Sequence, residues 1–300
     1  MGAVPPASRR VVIGGIPVTA LSQSEWGDLM VADCLANRTR VAHRGQVAAP
    51  KFMTSANGYV LSLYARDREF QRLVDAADAV DADGMPLVVA SRLLARTPLP
   101  ERVATSDFFH VAAARAEEAG LSFFLLGGDE EVNRAAVASV QAAHPRLRIA
   151  GRHHGFFALD EEPDLARQIV ASGTDVLWVG MGAPYEHRFI VRNRSRLTGV
   201  SWIKSCGGLF KFIAGTDPRA PQWMHDLCLE WLFRLAREPR RLFPRYFRTN
   251  GHAIYLMYKH RALTRDGSAD GAAGAATASY LAAEASLGPP TRPTAKPVPR

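Results

Sequence analysis

Residues 121–151 read LSFFLLGGDEEVNRAAVASVQAAHPRLRIAG. Leu121–Leu126 form a short apolar run closed by a glycine pair, the pattern of a strand buried on both faces. Gly127-Gly128-Asp129 is a turn. From Asp129 to Ala143 the apolar residues recur at helical spacing, and Leu147–Gly151 is a second strand. Strand, helix and strand within about thirty residues make a βαβ unit, and such units build a parallel sheet.

The same rhythm continues on both sides. Toward the C-terminus come a helix at Glu161–Ala171, a strand at Asp175–Gly180 (DVLWVG), a helix at Glu186–Arg196 and a strand at Val200–Lys204. Toward the N-terminus lie strands at Val11–Ile13, Phe52–Ser55 and Ala79–Asp81. Helices are predicted at Ser22–Asn37, at Asn57–Ala76 in two pieces joined near Asp67, at Gly84–Arg96 and at Ser106–Glu118. From Pro221 the strands stop, and residues 221–261 read as helices broken at Pro239, with Pro244 a second candidate break. The expectation is an α/β fold: a Rossmann-like parallel sheet with helices on both faces over 11–215, then a helical, basic, membrane-associating appendage over 216–265. Residues 1–10 and the Ala/Gly/Ser/Pro-rich tail 266–300 have too few large apolar groups to offset the entropy of ordering.

Bulk properties narrow the class. The 300 residues are 47% hydrophobic and 22% charged, ordinary for a globular protein. Cys34, Cys206 and Cys228 are widely spaced and form no CxxC pair, which excludes a zinc knuckle or disulfide framework. His110, His153, His154, His187 and His225 show no metal-ligand spacing, so no metal site is expected. No apolar run of about eighteen residues occurs, so the chain is not expected to span a membrane. The net charge of +8 calls for an anionic partner. Nearly all of it lies in residues 230–265, where nine basic side chains face two acidic ones, a net +7, interleaved with aromatics. Arginines and aromatics on short helices suit an anionic membrane surface, and the same composition suits nucleic acid.

In an open parallel sheet, ligands bind beyond the carboxyl ends of the strands. Thr54-Ser55-Ala56-Asn57 follows one strand; Ser55 and Asn57 are candidates to bind a sugar or phosphate, or simply to cap a helix. In Asp81-Ala82-Asp83-Gly84, Asp83 is a candidate general base, with a capping role and Asp81 as competitors. Arg102 suits a diphosphate, and Asp107 a helix start. Gly127-Gly128 and Gly180-Met181-Gly182 leave backbone amides accessible, with Gly182 the binding candidate. Glu186 is placed to bond a ribose or sugar hydroxyl, or to complement its own helix. The glycines lack the full GxGxxG spacing and no P-loop lysine follows, so no dinucleotide or other cofactor is implied.

Taken in order, these segments resemble the WecG/TagA/CpsF glycosyltransferases. The resemblance runs from Val11 to about Asn250. It is carried by IGGIPV (13–18), the Thr/Ser-x-Asn at 55–57, Ala82-Asp83-Gly84, FFLLGG (123–128), HPRLRIAGRHHGFF (144–157), LWVGMGAP (177–184) and RAPQWMHDLCLEWLFRLAREPRRLFPRY (219–246). It implies an inverting transfer from a UDP-sugar, in known members often N-acetylmannosamine or its uronic acid. The acceptor it implies is N-acetylglucosamine on undecaprenyl diphosphate at the inner face of the cytoplasmic membrane. Carried over, Asp83 is the base, Ser55 and Asn57 lie near a sugar, and Arg102 helps hold the diphosphate. Arg234, Arg241 and Arg245 close over the site and steady the leaving diphosphate in place of a divalent metal. The sequence departs from the family pattern in Ser55 for threonine, Thr105 for glycine, Glu186-His187 for Gln-Glu, and Lys211 near the usual Phe-Asp. A homo-oligomer is compatible with the sequence. Two competing classes are a different nucleotide-binding α/β enzyme, such as an epimerase or dehydrogenase, and a basic nucleic-acid-binding module.

Overall fold

The structure, a computed structural model, describes residues 9–44, 48–217, 221, 224, 230–237 and 239–261. The tail 266–300 and residues 1–8 lie outside the described residues, while Arg10 opens the first strand.

Strands β1 (Arg10–Ile13) and β2 (Ile16–Thr19) pair antiparallel across Gly14-Gly15. Sequence reading found only the first. Both glycines have positive φ, +60° and +96°, which is what a two-residue hairpin turn demands. The main sheet has six parallel strands: β3 (Lys51–Ala56), β4 (Ala79–Ala82), β5 (Ser122–Gly127), β6 (Arg148–His153), β7 (Val176–Gly180) and β8 (Trp202–Ser205). Their order is β4-β3-β8-β7-β5-β6. The expected α/β architecture, with helices on both faces of a parallel sheet, is the one observed.

The helices are α1 (Gln23–Arg44), α2 (Gly58–Arg66), α3 (Arg68–Asp75), α4 (Met85–Leu94), α5 (Thr105–Glu118), α6 (Glu130–Ala143), α7 (Glu162–Ala171), α8 (Tyr185–Asn193), α9 (Leu209–Ile213), α10 (Glu230–Arg237) and α11 (Pro239–Lys259). Asp67 makes the expected join between α2 and α3. Its backbone N–H closes α2 on Leu63, and its carboxylate accepts the N–H groups of Glu69 and Phe70.

Successive strand residues face opposite sides of the sheet. Phe123, Trp178 and Trp202 therefore pack with Trp26 of α1, Phe109 of α5 and Val140 of α6. Phe124, Leu177 and Ile203 pack with Ile169 of α7 and Phe189 of α8. A third cluster joins the β1–β2 hairpin, α2, α4 and the far end of α11, through Ala253, Leu256 and Met257. The sequence expectation of a break at Pro244 is not met: α11 runs through it unbroken, its last turns held by that packing.

All six strands point the same way, so their carboxyl ends share one edge. From β5 the chain moves outward to β6; from β7 it moves the opposite way to β8. This reversal opens a crevice between the ends of β5 and β7, the usual place for a ligand in such sheets.

Candidate active site

The glycines that line the crevice are there for two reasons, close approach and backbone conformation. A Cβ on Gly127 would lie 2.2 Å from the carbonyl oxygen of Gly180, and Gly128 N–H donates to that oxygen at 3.1 Å. At Gly182, φ is +79° and a Cβ would meet nothing within 4 Å, so this backbone faces open space.

Glu186 sits beneath the crevice rather than in it. It is buried, and its Oε2 accepts the backbone N–H groups of Met181, Gly182 and Gly207 at 3.2, 2.9 and 2.9 Å. One carboxylate oxygen thus ties the turn after β7 to the turn after β8. The structure leaves it to shape the backbone that a ligand would meet.

Burial pushes the Glu186 carboxyl up to about 7, although the amides of Gly207 and Gly182 and the Lys204 ammonium pull the other way. An unfolded glutamate titrates near 4.3. Between these values the folded chain holds a proton the unfolded chain has lost, so this group makes stability fall as pH rises from about 4.3 to about 7. Glu186→Gln keeps a carbonyl oxygen for the amides and has no charge to bury. It should be the more stable protein at pH 8, by about 4 kcal/mol, and should match the parent below pH 4. Thermal melts across that range check this; a constant difference at every pH would refute it.

At the other end of the edge, the Asp83 N–H donates to the Ala56 carbonyl at 2.9 Å, and Val103 N–H donates to Ala82 at 2.8 Å. These bonds bring the end of β4, the end of β3 and the loop carrying Arg102 together. Arg102 is half-buried there, its carbonyl accepting from Gln23. Asp83 Oδ1 accepts the Thr105 N–H at 3.2 Å and Oδ2 accepts the Thr105 hydroxyl at 3.4 Å. Asn57 caps α2, its Oδ1 accepting from Val60 N–H at 3.1 Å. A Cβ on Gly84 would stand 3.4 Å from the Asn57 Cα, so Asn57 lies directly against the turn that follows Asp83.

Under these residues runs a buried polar network that sequence reading missed. Lys204, at the end of β8, is 1% exposed and pairs with Asp81 at 2.7 Å. Its Nζ also donates to Ser55 Oγ at 2.6 Å. The Ser205 hydroxyl donates to Thr54 Oγ1 at 2.8 Å, and that oxygen lies 2.8 Å from His187 Nε2. Burial drives the His187 imidazole down to about 3, so it is neutral at any ordinary pH. The available signal was a lysine closing an apolar strand, WIKS, in a fold where another strand closes on an aspartate. A lone buried ammonium is costly, so the two charges call for each other.

Arg234 falls on α10, and Arg241 and Arg245 on α11; their side chains lie outside the described ones. On α11 the buried Ala253, Leu256 and Met257 occupy one face. Phe243, Phe247, Ile254 and Tyr258 are exposed along another, with the Arg261 guanidinium 4.1 Å over the Tyr258 ring. An apolar groove of about 610 Å³ lies between α10 and α11, walled by Leu232, Leu235, Pro239 and Phe243. Among the described residues no helix is long and apolar enough to cross a membrane.

A parallel sheet with a crevice at its switch point is a frame for binding a ligand, and the sequence family says which class of enzyme it serves, a glycosyltransferase. The chain belongs to the glycosyl transferase WecG/TagA/CpsF family, whose model matches residues 11–267. A curated relative, the N-acetylglucosaminyldiphosphoundecaprenol N-acetyl-beta-D-mannosaminyltransferase of Bacillus subtilis (strain 168), is 28% identical over 189 residues. The match covers 63% of this chain and 72% of that protein.

Proposed function

We propose that this glycosyltransferase moves a sugar, N-acetylmannosamine or a related hexose or uronic acid, from a UDP-sugar to a sugar on polyprenyl diphosphate. The Bacillus subtilis relative's name gives such an acceptor, N-acetylglucosaminyldiphosphoundecaprenol. The observation that carries the reading is Asp83: a carboxylate at the sheet's carboxyl edge, gripped through both oxygens by Thr105 and set beside Asn57.

In the reaction, Asp83 takes the proton of the acceptor hydroxyl. That oxygen attacks the anomeric carbon of the donor, forming the new glycosidic bond as the bond to UDP breaks. UDP leaves with the electron pair, and because the attack is in line, on the face opposite UDP, the anomeric centre inverts. Arg102 meets the diphosphate charge, while the Gly182 turn, its N–H held by Glu186, leaves open backbone against which the donor lies. Arg234, Arg241 and Arg245 serve the same charge without a divalent metal. The aromatic stripe and arginines of α11 hold the chain against an anionic membrane at its cytoplasmic face, where the lipid-linked acceptor resides.

The test is UDP release from a panel of UDP-sugars in the presence of a short-chain lipid-diphosphate N-acetylglucosamine, with and without EDTA. One donor should be consumed only when acceptor is present, at the same rate with EDTA. Release that needs a divalent metal would sink the arginine reading, and binding of no nucleotide-sugar would sink the donor reading.

A further inference from the structure

The polar network beneath Asp83 has a direction. The Lys204 ammonium carries three N–H donors and no acceptor. Asp81, itself buried, fixes it at 2.7 Å, and the ammonium donates to Ser55 Oγ at 2.6 Å. Ser55, having accepted, has its own hydrogen to pass on, and Thr105 Oγ1 lies 3.3 Å away. The Thr105 hydroxyl donates in turn to Asp83 Oδ2 at 3.4 Å. Each bond therefore points the same way, from the buried cation to the carboxylate. The acceptor-only carboxylate takes the single Thr105 hydrogen, so Ser55 must donate to Thr105, and the ammonium, which can only donate, leaves the Ser55 hydrogen free to do so. The last two links are long for O–H···O bonds, which leaves the chain dependent on its short, charged first link.

We propose that Lys204 is a positioning residue whose ammonium, anchored by Asp81, orients a hydroxyl chain through Ser55 and Thr105 that presents the Asp83 carboxylate to the acceptor hydroxyl. The inference rests on the reading of Asp83 as the base. It gives a function to Lys204 beyond balancing the buried Asp81 charge, and one to Thr105, whose hydroxyl joins the two halves of the network.

Lys204 alone is a poor target, since its loss strands the Asp81 charge in the interior. The test is therefore a cycle of full-length variants: Thr105→Val, which deletes the hydroxyl and keeps the backbone N–H; the charge-neutral pair Lys204→Met with Asp81→Asn; and all three together. Turnover, both KM values and the pH profile of kcat/KM are measured for each. Thr105→Val should lower kcat by about 10-fold, leave the donor KM within about 2-fold, and move the acid limb up by about half a unit or more, because a bond to the charged form is lost. The neutral pair should do the same. The triple variant should be no worse than the poorer parent, since the chain is already cut.

Wild-type kcat and acid limb in Thr105→Val, or effects that multiply in the triple variant, would overturn the proposal. If the neutral pair does not fold, Ser55→Ala replaces it in the cycle with the same expected non-additivity. Asp83→Asn, run in parallel, separates the two failures. An active Asp83→Asn topples the base reading, whereas an inactive one beside an unshifted Thr105→Val topples only the Lys204 chain.

Discussion

Asp83→Asn is expected to lower kcat by about 100-fold or more while leaving the melting temperature within a degree or two. General-base contributions of about 10²–10⁴-fold set that floor. The fold should tolerate the change because asparagine keeps an oxygen to accept the Thr105 N–H, now made to Oδ1 at 3.2 Å. The backbone bond from residue 83 to Ala56 is untouched by the side chain. Donor KM should also hold, since the glycine crevice is formed by other turns. Asp83→Glu should recover part of the loss if proton removal is the role, at the cost of a displaced carboxyl. Near-normal turnover in Asp83→Asn would move the base elsewhere. Asp81 is then no substitute, because it is 3% exposed and tied to Lys204.

That comparison of Asp81 with Asp83 shows what a sequence can carry. The order of strands and helices was legible because short apolar runs such as FFLL and VLWVG alternate with helical periods. Asp83 was legible as a polar residue at a strand end before a glycine. Its neighbour two positions earlier has the same composition and nearly the same context. Only the register against β3 tells them apart: Asp81 pairs across to Ser55 in β3 and meets a buried lysine from β8 beyond it, while Asp83 has left the sheet. Glu186 is a similar case. Its position after a glycine turn suggested a ligand contact, yet the chain folds so that three amides converge on its Oε2. Which backbone groups converge depends on β7 and β8 lying side by side, and no local pattern encodes that adjacency.

The hairpin partner β2 was legible in principle. Gly14-Gly15 between Val11-Val12-Ile13 and Ile16-Pro17-Val18 is a turn signal flanked by apolar residues, but Pro17 within the second run counts against a strand. The structure accommodates it because, among the described residues, β2 pairs with β1 alone, leaving its other side outside the ladder.

The C-terminal helices bring the second large effect. Truncation after Gly215 is expected to abolish turnover, to end sedimentation with anionic vesicles, and also to lower the stability of what remains. The sequence-based division treats 216–265 as an appendage to a core ending at 215, and the packing of α11 against that core argues that it also contributes to stability. Ala253, Leu256 and Met257 are at most 7% exposed and share a cluster with Val60, Leu61 and the β1–β2 hairpin. His252 Nδ1 lies 2.9 Å from Ser62 Oγ on α2, and a Cβ on Gly58 would touch Ala253 at 3.6 Å. At about 1.5–3 kcal/mol for each large apolar side chain, undocking this face costs about 4 kcal/mol, a large part of the 5–15 kcal/mol that holds a typical domain. Loss of activity in the truncation therefore says little alone about arginines or membranes. A second variant separates the roles: Phe247→Ser with Ile254→Ser alters only exposed side chains of α11, 79% and 63% exposed. It should melt like the parent, turn over a water-soluble acceptor analogue at the parent rate, and bind vesicles about 10-fold less well. Parent-like melting of the truncated chain would show that α11 is no part of the core, and parent-like vesicle binding by the double variant would remove the exposed stripe from membrane attachment.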